Sequence, residues 1–137
     1  MFKRYFSIFY LIIFLSFSGV MFAQKKPVLY RYADAFEVYT DSGSLGNNVL
    51  NLTAKDFFKV IRVKGESCIV TATYEDVIRD FAAVTVFSET TAYGKSFYAF
   101  SDKIPYKIKI GDNIVNLQYF VGENYNKLGT PMIFGGY

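Results

Sequence analysis

Phe57–Tyr74 reads Phe-Phe-Lys-Val-Ile-Arg-Val-Lys-Gly-Glu-Ser-Cys-Ile-Val-Thr-Ala-Thr-Tyr. Two arms rich in β-branched and aromatic residues, Phe57–Val63 and Cys68–Tyr74, flank a short polar stretch that carries Gly65, the pattern of a β-hairpin. The first arm has apolar residues on both faces, Phe58 and Val60 on one and Phe57, Ile61 and Val63 on the other, as a central strand does. A helix competes for the same residues. Thr53 and Asp56 could cap it, Ala54, Phe57, Phe58 and Ile61 could share a face, and Gly65 could stop it. Composition favours the strand, because three of the seven residues Phe57–Val63 are β-branched and two are aromatic.

Upstream, Lys3 and Arg4 precede the apolar run Tyr5–Phe17, and Ser18-Gly19 and Ala23 follow it. A charged start, a short apolar middle and a small-residue end are the parts of a secretory signal, expected over residues 1–23. Met21 is larger than usual two positions before such a cleavage point, and an uncleaved membrane anchor is the alternative. Without residues 1–23 the 137-residue chain keeps 114, enough for one core. The leader carries two of the 15 basic residues, so 13 remain against 12 acidic ones, a net charge of +1. Nucleic acid and anionic membrane therefore have little electrostatic hold on it. Cys68 is the only cysteine, which excludes a disulfide within the chain and points to a buried thiol. Ten tyrosines remain after the leader, more than a small core can satisfy, so some are expected at the surface.

Along the mature chain, residues 24–34 form a lead-in with a strand at Val28–Tyr32. Strands are then expected at Ala35–Thr40, Val49–Leu52, Val84–Phe87, Phe97–Phe100, Ile104–Ile110, Ile114–Val121 and Met132–Phe134. Asp41–Asn48, Ser88–Ser96 and Gly122–Pro131 read as loops, and Gly111-Asp112-Asn113 as a tight turn. The one helix expected is Glu75–Ala82, capped by Thr73, with Val77, Ile78 and Phe81 on one face.

A shift of 48 positions lays Val38-Tyr39-Thr40-Asp41-Ser42 on Val86-Phe87-Ser88-Glu89-Thr90, and Lys55, Phe58, Lys59 and Val60 on Lys103, Tyr106, Lys107 and Ile108. With two residues dropped, Gly65-Glu66-Ser67 meets Gly111-Asp112-Asn113, and such internal similarity suggests two copies of one unit. The unit, a strand, a long polar loop, a short strand (Val49–Leu52), a turn (Thr53–Asp56) and a hairpin, resembles a bacterial SH3-like domain over Ala35–Thr73 and again over Ala83–Phe120. The Gly-Trp pair common near the end of such domains is absent. The resemblance implies an all-β, mainly antiparallel fold with one short helix. It implies two small barrel or meander units, over 35–83 and 84–137, that bind cell-wall peptide or protein partners.

The chain contains no histidine, which removes Ser-His-Asp and Cys-His catalysis and most zinc sites. Asp76 and Asp80, four apart on the expected helix, could act as an acid/base pair, but a solvated face with a Glu75–Arg79 pair explains them as well. Gly94-Lys95-Ser96 ends like a phosphate loop yet lacks the earlier glycine and the following helix. No catalytic residue, metal ligand or cofactor is assigned. The two polar loops, with aromatic residues at their ends, are the candidate ligand contacts: Tyr39, Asp41, Asn47 and Asn48 in one, Tyr93, Lys95 and Tyr98 in the other. The expectation is an exported, periplasmic or extracellular module that binds a protein or envelope ligand. A structural component of the envelope and a carboxylate-dependent hydrolase are the alternatives.

Overall fold

The computed structural model describes residues 26–41, 47–57, 63–134 and 136. The expected leader and residues 58–62 of the first hairpin arm lie outside the described residues. The strands are β1 (Ala35–Asp41), β2 (Asn47–Thr53), β3 (Val63–Val70), β4 (Val84–Thr91), β5 (Gly94–Phe100), β6 (Ile108–Ile110), β7 (Asn113–Val115), β8 (Leu117–Gly122) and β9 (Asn126–Thr130). Among the described residues one helix, α1 (Tyr74–Phe81), joins β3 to β4. Seven strands form a single sheet in the order β2-β1-β3-β9-β8-β5-β4, and β6 and β7 pair separately. Every pairing is antiparallel. No helix among the described residues is long and apolar enough to cross a membrane.

The polar stretch at Gly65 is not a turn. β3 continues through Lys64-Gly65-Glu66-Ser67, and Glu66, Cys68 and Val70 point into the core at 1%, 3% and 4% exposure. Gly65 serves close approach instead: a Cβ there would lie 2.7 Å from the Thr130 carbonyl oxygen and 2.9 Å from the Phe134 ring. Tyr39 pairs with Gly65 and Thr40 with Val63, so Lys64 is the extra residue of a β-bulge. Of the Phe57–Lys64 segment, Phe57 closes the turn after β2 with its own side chain buried, and Val63 and Lys64 are strand.

The two stretches expected to be separate units, 35–83 and 84–137, share one sheet and one core. β3 pairs with β9 from Glu66↔Thr130 to Val70↔Asn126, and a single buried cluster reaches from Leu29 to Leu128. Their strand orders also differ, since β1 lies between β2 and β3 whereas β4, its expected counterpart, lies at the sheet's end. Gly65 and Gly111 are therefore not equivalent. Gly111, at φ 59°, makes the β6–β7 turn, whereas Gly65 lies inside a strand. The sheet does not close into a barrel among the described residues.

The core lies on one face of the sheet. Phe36, Val38, Cys68, Leu117, Tyr119 and Leu128 meet Val77 of α1, Leu29 of the lead-in, Phe57 and Ile104 there. The helix forms as its sequence suggests. The Thr73 hydroxyl accepts the Asp76 N–H at 3.2 Å, and Ala82 ends it in the left-handed region at φ 47°. The pair on its outer face is Arg79–Asp76 at 2.7 Å, in place of Glu75–Arg79. Val28–Tyr32, expected as a strand, forms turns closed by Tyr30 N–H to Pro27 O and Tyr32 N–H to Leu29 O. Ile114–Val121 is interrupted at Asn116, whose buried side chain bonds the backbone of Ser101 and Ile104 and ties the β5–β6 connection down. Core tyrosines find partners: buried Tyr119 donates to the Ala72 carbonyl at 2.6 Å and half-buried Tyr32 to Asp80 at 2.8 Å. Tyr30 and Tyr93 are exposed, as the tyrosine count requires.

Beyond β9 the chain folds back over the other face. The Ile133 N–H donates to Gln118 Oε1 at 2.8 Å, Phe134 stacks on Tyr39 with centroids 4.2 Å apart, and Lys127 Nζ donates to the Gly136 carbonyl at 2.8 Å. Asn126–Thr130, read as loop from its polar and glycine content, is thus a central strand. Met132–Phe134, read as a strand, is the segment that crosses it.

Two expected outcomes follow from the core. Cys68 is buried and its thiol is pushed up to about 12 by that burial, so it should react with a thiol reagent only in denaturant. Cys68→Ser should cost about 1–3 kcal/mol in urea melts, and rapid labelling of the native protein would show the thiol to be accessible. Burial also lifts the Glu66 carboxyl from 4.5 to about 7, against the opposing hydrogen bonds from the Leu29 and Val28 amides. The folded state thus holds a proton that the unfolded chain gives up above pH 4.5. This contribution is complete below pH 4.5 and is lost as the pH rises through about 7. Stability should fall by about 3 kcal/mol across that window, and Glu66→Gln should flatten the slope. An unchanged pH profile in Glu66→Gln would assign the dependence to other groups.

Candidate functional site

The two loops expected to hold the ligand contacts lie at opposite ends of the sheet. β1 and β4 run in opposite directions through the ladder, so the connection after Asp41 and the turn after Thr91 point apart. Asp41 pairs with Asn47 and Asn48 with Thr40, so the ends of the first expected loop are strand, and residues 42–46 lie outside the described residues. The second expected loop is mostly ladder. Thr91 pairs with Gly94 around the two-residue turn Ala92-Tyr93, and Thr90 pairs with Lys95.

The candidate residues separate accordingly. Tyr39 is half-buried under Phe134 and serves packing. Tyr98 is 5% exposed, stacks on Phe87 at 4.4 Å and donates to Glu89 Oε1 at 2.8 Å, so it is a buried member of a polar network and no surface contact. Lys95 is exposed and sits 4.9 Å from the centroid of Phe97, on the core-side face. Tyr93 is 75% exposed at the tip of its turn.

A larger feature lies on the face away from the core. A groove of about 670 Å³ crosses β2, β1, β3 and β9, and Asn51, Glu37, Ser67, Ile69 and Lys127 are among its lining residues. Strand register builds it: Asn51 lies opposite Glu37, Glu37 opposite Ser67, and Ile69 opposite Lys127. Alternation along β1 sends Phe36 and Val38 into the core and Glu37 to this side. At the groove's centre Lys127 Nζ lies 2.8 Å from Glu37 Oε2, and the Ser67 hydroxyl donates to the same oxygen at 3.3 Å. The Lys127 side chain is 7% exposed and that of Glu37 34%, so the cation is covered and the carboxylate faces the opening. Ile69, at 61% exposure, supplies an apolar surface beside them. An extended or flat ligand could lie on the apolar part and orient a polar group on the carboxylate.

None of Glu37, Ser67, Ile69 and Lys127 stood out in the sequence. Glu37 carried a usable signal, a charge between two core positions of a strand; Lys127 sat in a stretch with loop composition and carried none. Asp76 and Asp80, the expected acid/base alternative, do not face each other across a cleft. Asp76 is held low by its hydrogen bond from Arg79, and Asp80 accepts from Tyr32.

The described residues define a mainly antiparallel β-sheet protein, with one short helix among them and a groove across the sheet's outer face. No family model matches the chain, and no curated protein or solved structure matches it significantly.

The ion pair can be tested directly. Glu37→Gln leaves the covered Lys127 ammonium without its carboxylate and should cost about 3 kcal/mol. Combined with Lys127→Met, much of that cost should disappear, giving a coupling above ~1 kcal/mol in a double-mutant cycle. Additive costs would mean that the two groups do not stabilise each other.

Proposed function

We propose that the mature chain is an exported, non-catalytic binding module whose protein or envelope ligand lies in the groove across β2, β1, β3 and β9. The supporting observation is the groove itself: about 670 Å³ of open space on a rigid sheet, with exposed Ile69 beside the oriented Glu37 carboxylate. Binding sites commonly combine an apolar surface with a few fixed polar groups. This moves the expected contact surface from the loops to the sheet face. The hydrolase alternative has two carboxylates in the same groove, Asp34 and Glu37. Glu37 is held by Lys127 and Ser67, an arrangement that suits orientation better than proton shuttling.

A structural or assembly role is favoured by a different feature, the outer edge of β4. Val84 and Val86 are exposed there at 70% and 37%, and Glu89 is the only charge on a strand without lysine or proline. Such an edge is open to pairing with another strand.

Ile69→Lys places a charge in the groove without disturbing the core. With envelope extract as the source, partners held by the wild-type chain should be lost from this variant while its melting temperature stays the same. Equal capture by both would remove the groove from the binding surface. Val86→Lys should lower self-association or assembly if the edge is the working surface, and should leave capture unchanged if the groove is. Asp34→Asn would abolish any hydrolytic activity that depends on the carboxylate pair.

A further inference from the structure

At the opposite end of the sheet from the β1–β2 connection, the structure carries a second, smaller site. Gly94 of β5 lies directly opposite Gly122 of β8, which brings the turns Ala92-Tyr93 and Glu123–Tyr125 side by side. A groove of about 240 Å³ opens between them, lined among others by Tyr93, Phe120, Glu123, Asn124 and Tyr125. Both glycines are needed for its floor. A Cβ at Gly94 would lie 2.9 Å from the Phe120 ring and one at Gly122 2.8 Å from it, so the ring lies flat against two bare backbones. Phe120 is 3% exposed, while Tyr93 and Tyr125 present their rings to solvent at 75% and 38%.

We propose that this tip is a binding site for a neutral saccharide, independent of the groove on the sheet face. Two exposed tyrosine rings over an aromatic floor offer surface for the C–H faces of a sugar ring. Glu123 accepts hydrogen bonds and Asn124 both donates and accepts, as a ligand dense in hydroxyls requires. No lysine or arginine is among the lining residues described, and Glu123 would repel a phosphate or carboxylate, so the chemistry selects against anions. The volume is below the roughly 300 Å³ at which drug-sized pockets begin, which suits a few sugar atoms at a time. An extended peptide finds no free ladder here, because β5 and β8 are interior strands with both edges paired.

The test uses the whole mature chain and neutral tetrasaccharides of glucose, galactose and N-acetylglucosamine, followed by NMR shifts and calorimetry. A lysine-rich peptide serves as the cationic competitor, since tyrosine faces and Glu123 could also hold an ammonium. At least one tetrasaccharide should bind, with shifts confined to residues 92–95 and 120–125. Tyr93→Ala, Tyr125→Ala and Asn124→Ala should each weaken it at least fivefold without lowering the melting temperature. Ile114→Ser, an exposed change away from the tip, should leave it unchanged. Absence of binding by all three tetrasaccharides overturns the proposal. So does saccharide binding indifferent to the tyrosines, or binding of the lysine-rich peptide alone. Ile69→Lys separates the two sites, because losing envelope partners there while keeping the saccharide shows that each stands without the other.

Discussion

Pairing between β3 and β9 is the constraint on which the rest of the molecule depends. It joins two strands about 60 residues apart in sequence and makes one seven-stranded sheet from two shorter sets, β2-β1-β3 and β9-β8-β5-β4. Two residues set its terms. Gly65 lets the Thr130 carbonyl and the Phe134 ring approach the β3 backbone, and the Glu66 carboxyl enters the core and accepts the Leu29 amide at 2.6 Å. A buried carboxyl is costly unless protonated or hydrogen-bonded, and here both remedies operate: the amides hold one oxygen, and burial raises its affinity for a proton. The lead-in is thereby pinned to the centre of the sheet, 37 residues away from its anchor.

The two faces of the sheet then take different work. The core side is covered by α1, Leu29, Phe57 and Ile104 and is mostly apolar, with Glu66 and Thr130 among the exceptions. The other side is crossed by the segment after β9, held through Gln118, Tyr39 and Lys127. That crossing divides a row of polar positions running Asn51, Glu37, Ser67, Gly129, Gln118, Tyr98 across the strands. On one side of it lies the groove with the Glu37–Lys127 pair. On the other, Gln118 bonds Ser96 and Tyr98 and the network closes on Glu89. Polar groups on this face are mostly spent on holding one another, while the Glu37 carboxylate stays partly open to the groove.

Both candidate surfaces follow from the same strand order. The sheet-face groove needs β9 beside β3, because Lys127 must reach Glu37 across an intervening strand. The tip needs β8 beside β5, because only that pairing sets two glycines opposite each other and brings two turns together. Neither is assembled by residues close in sequence.

Much of the local structure was legible from the chain alone. Strand composition placed β1 and the Phe97–Phe100 half of β5, Thr73 and the apolar face placed α1, and Gly111 placed the β6–β7 turn, each because the deciding interactions lie within a few residues. The isolated cysteine was legible as a buried thiol for the same reason, lying among Ile69 and Val70. Lys64–Ser67 and Asn126–Thr130 were not legible, since polar and glycine-rich stretches look like turns until distant partners are known. Glu66 is strand because the Leu29 amide awaits it, and Lys127 is buried because Glu37 does. The apparent two-fold repeat failed at the same point: similar segments were paired differently by contacts that sequence spacing does not express. The sequence by itself determined a mainly antiparallel β protein with one capped helix and a buried thiol. Tertiary structure decided which strands are neighbours, and with that which charged residues face a groove, because only long-range pairing supplies partners for polar groups taken out of water.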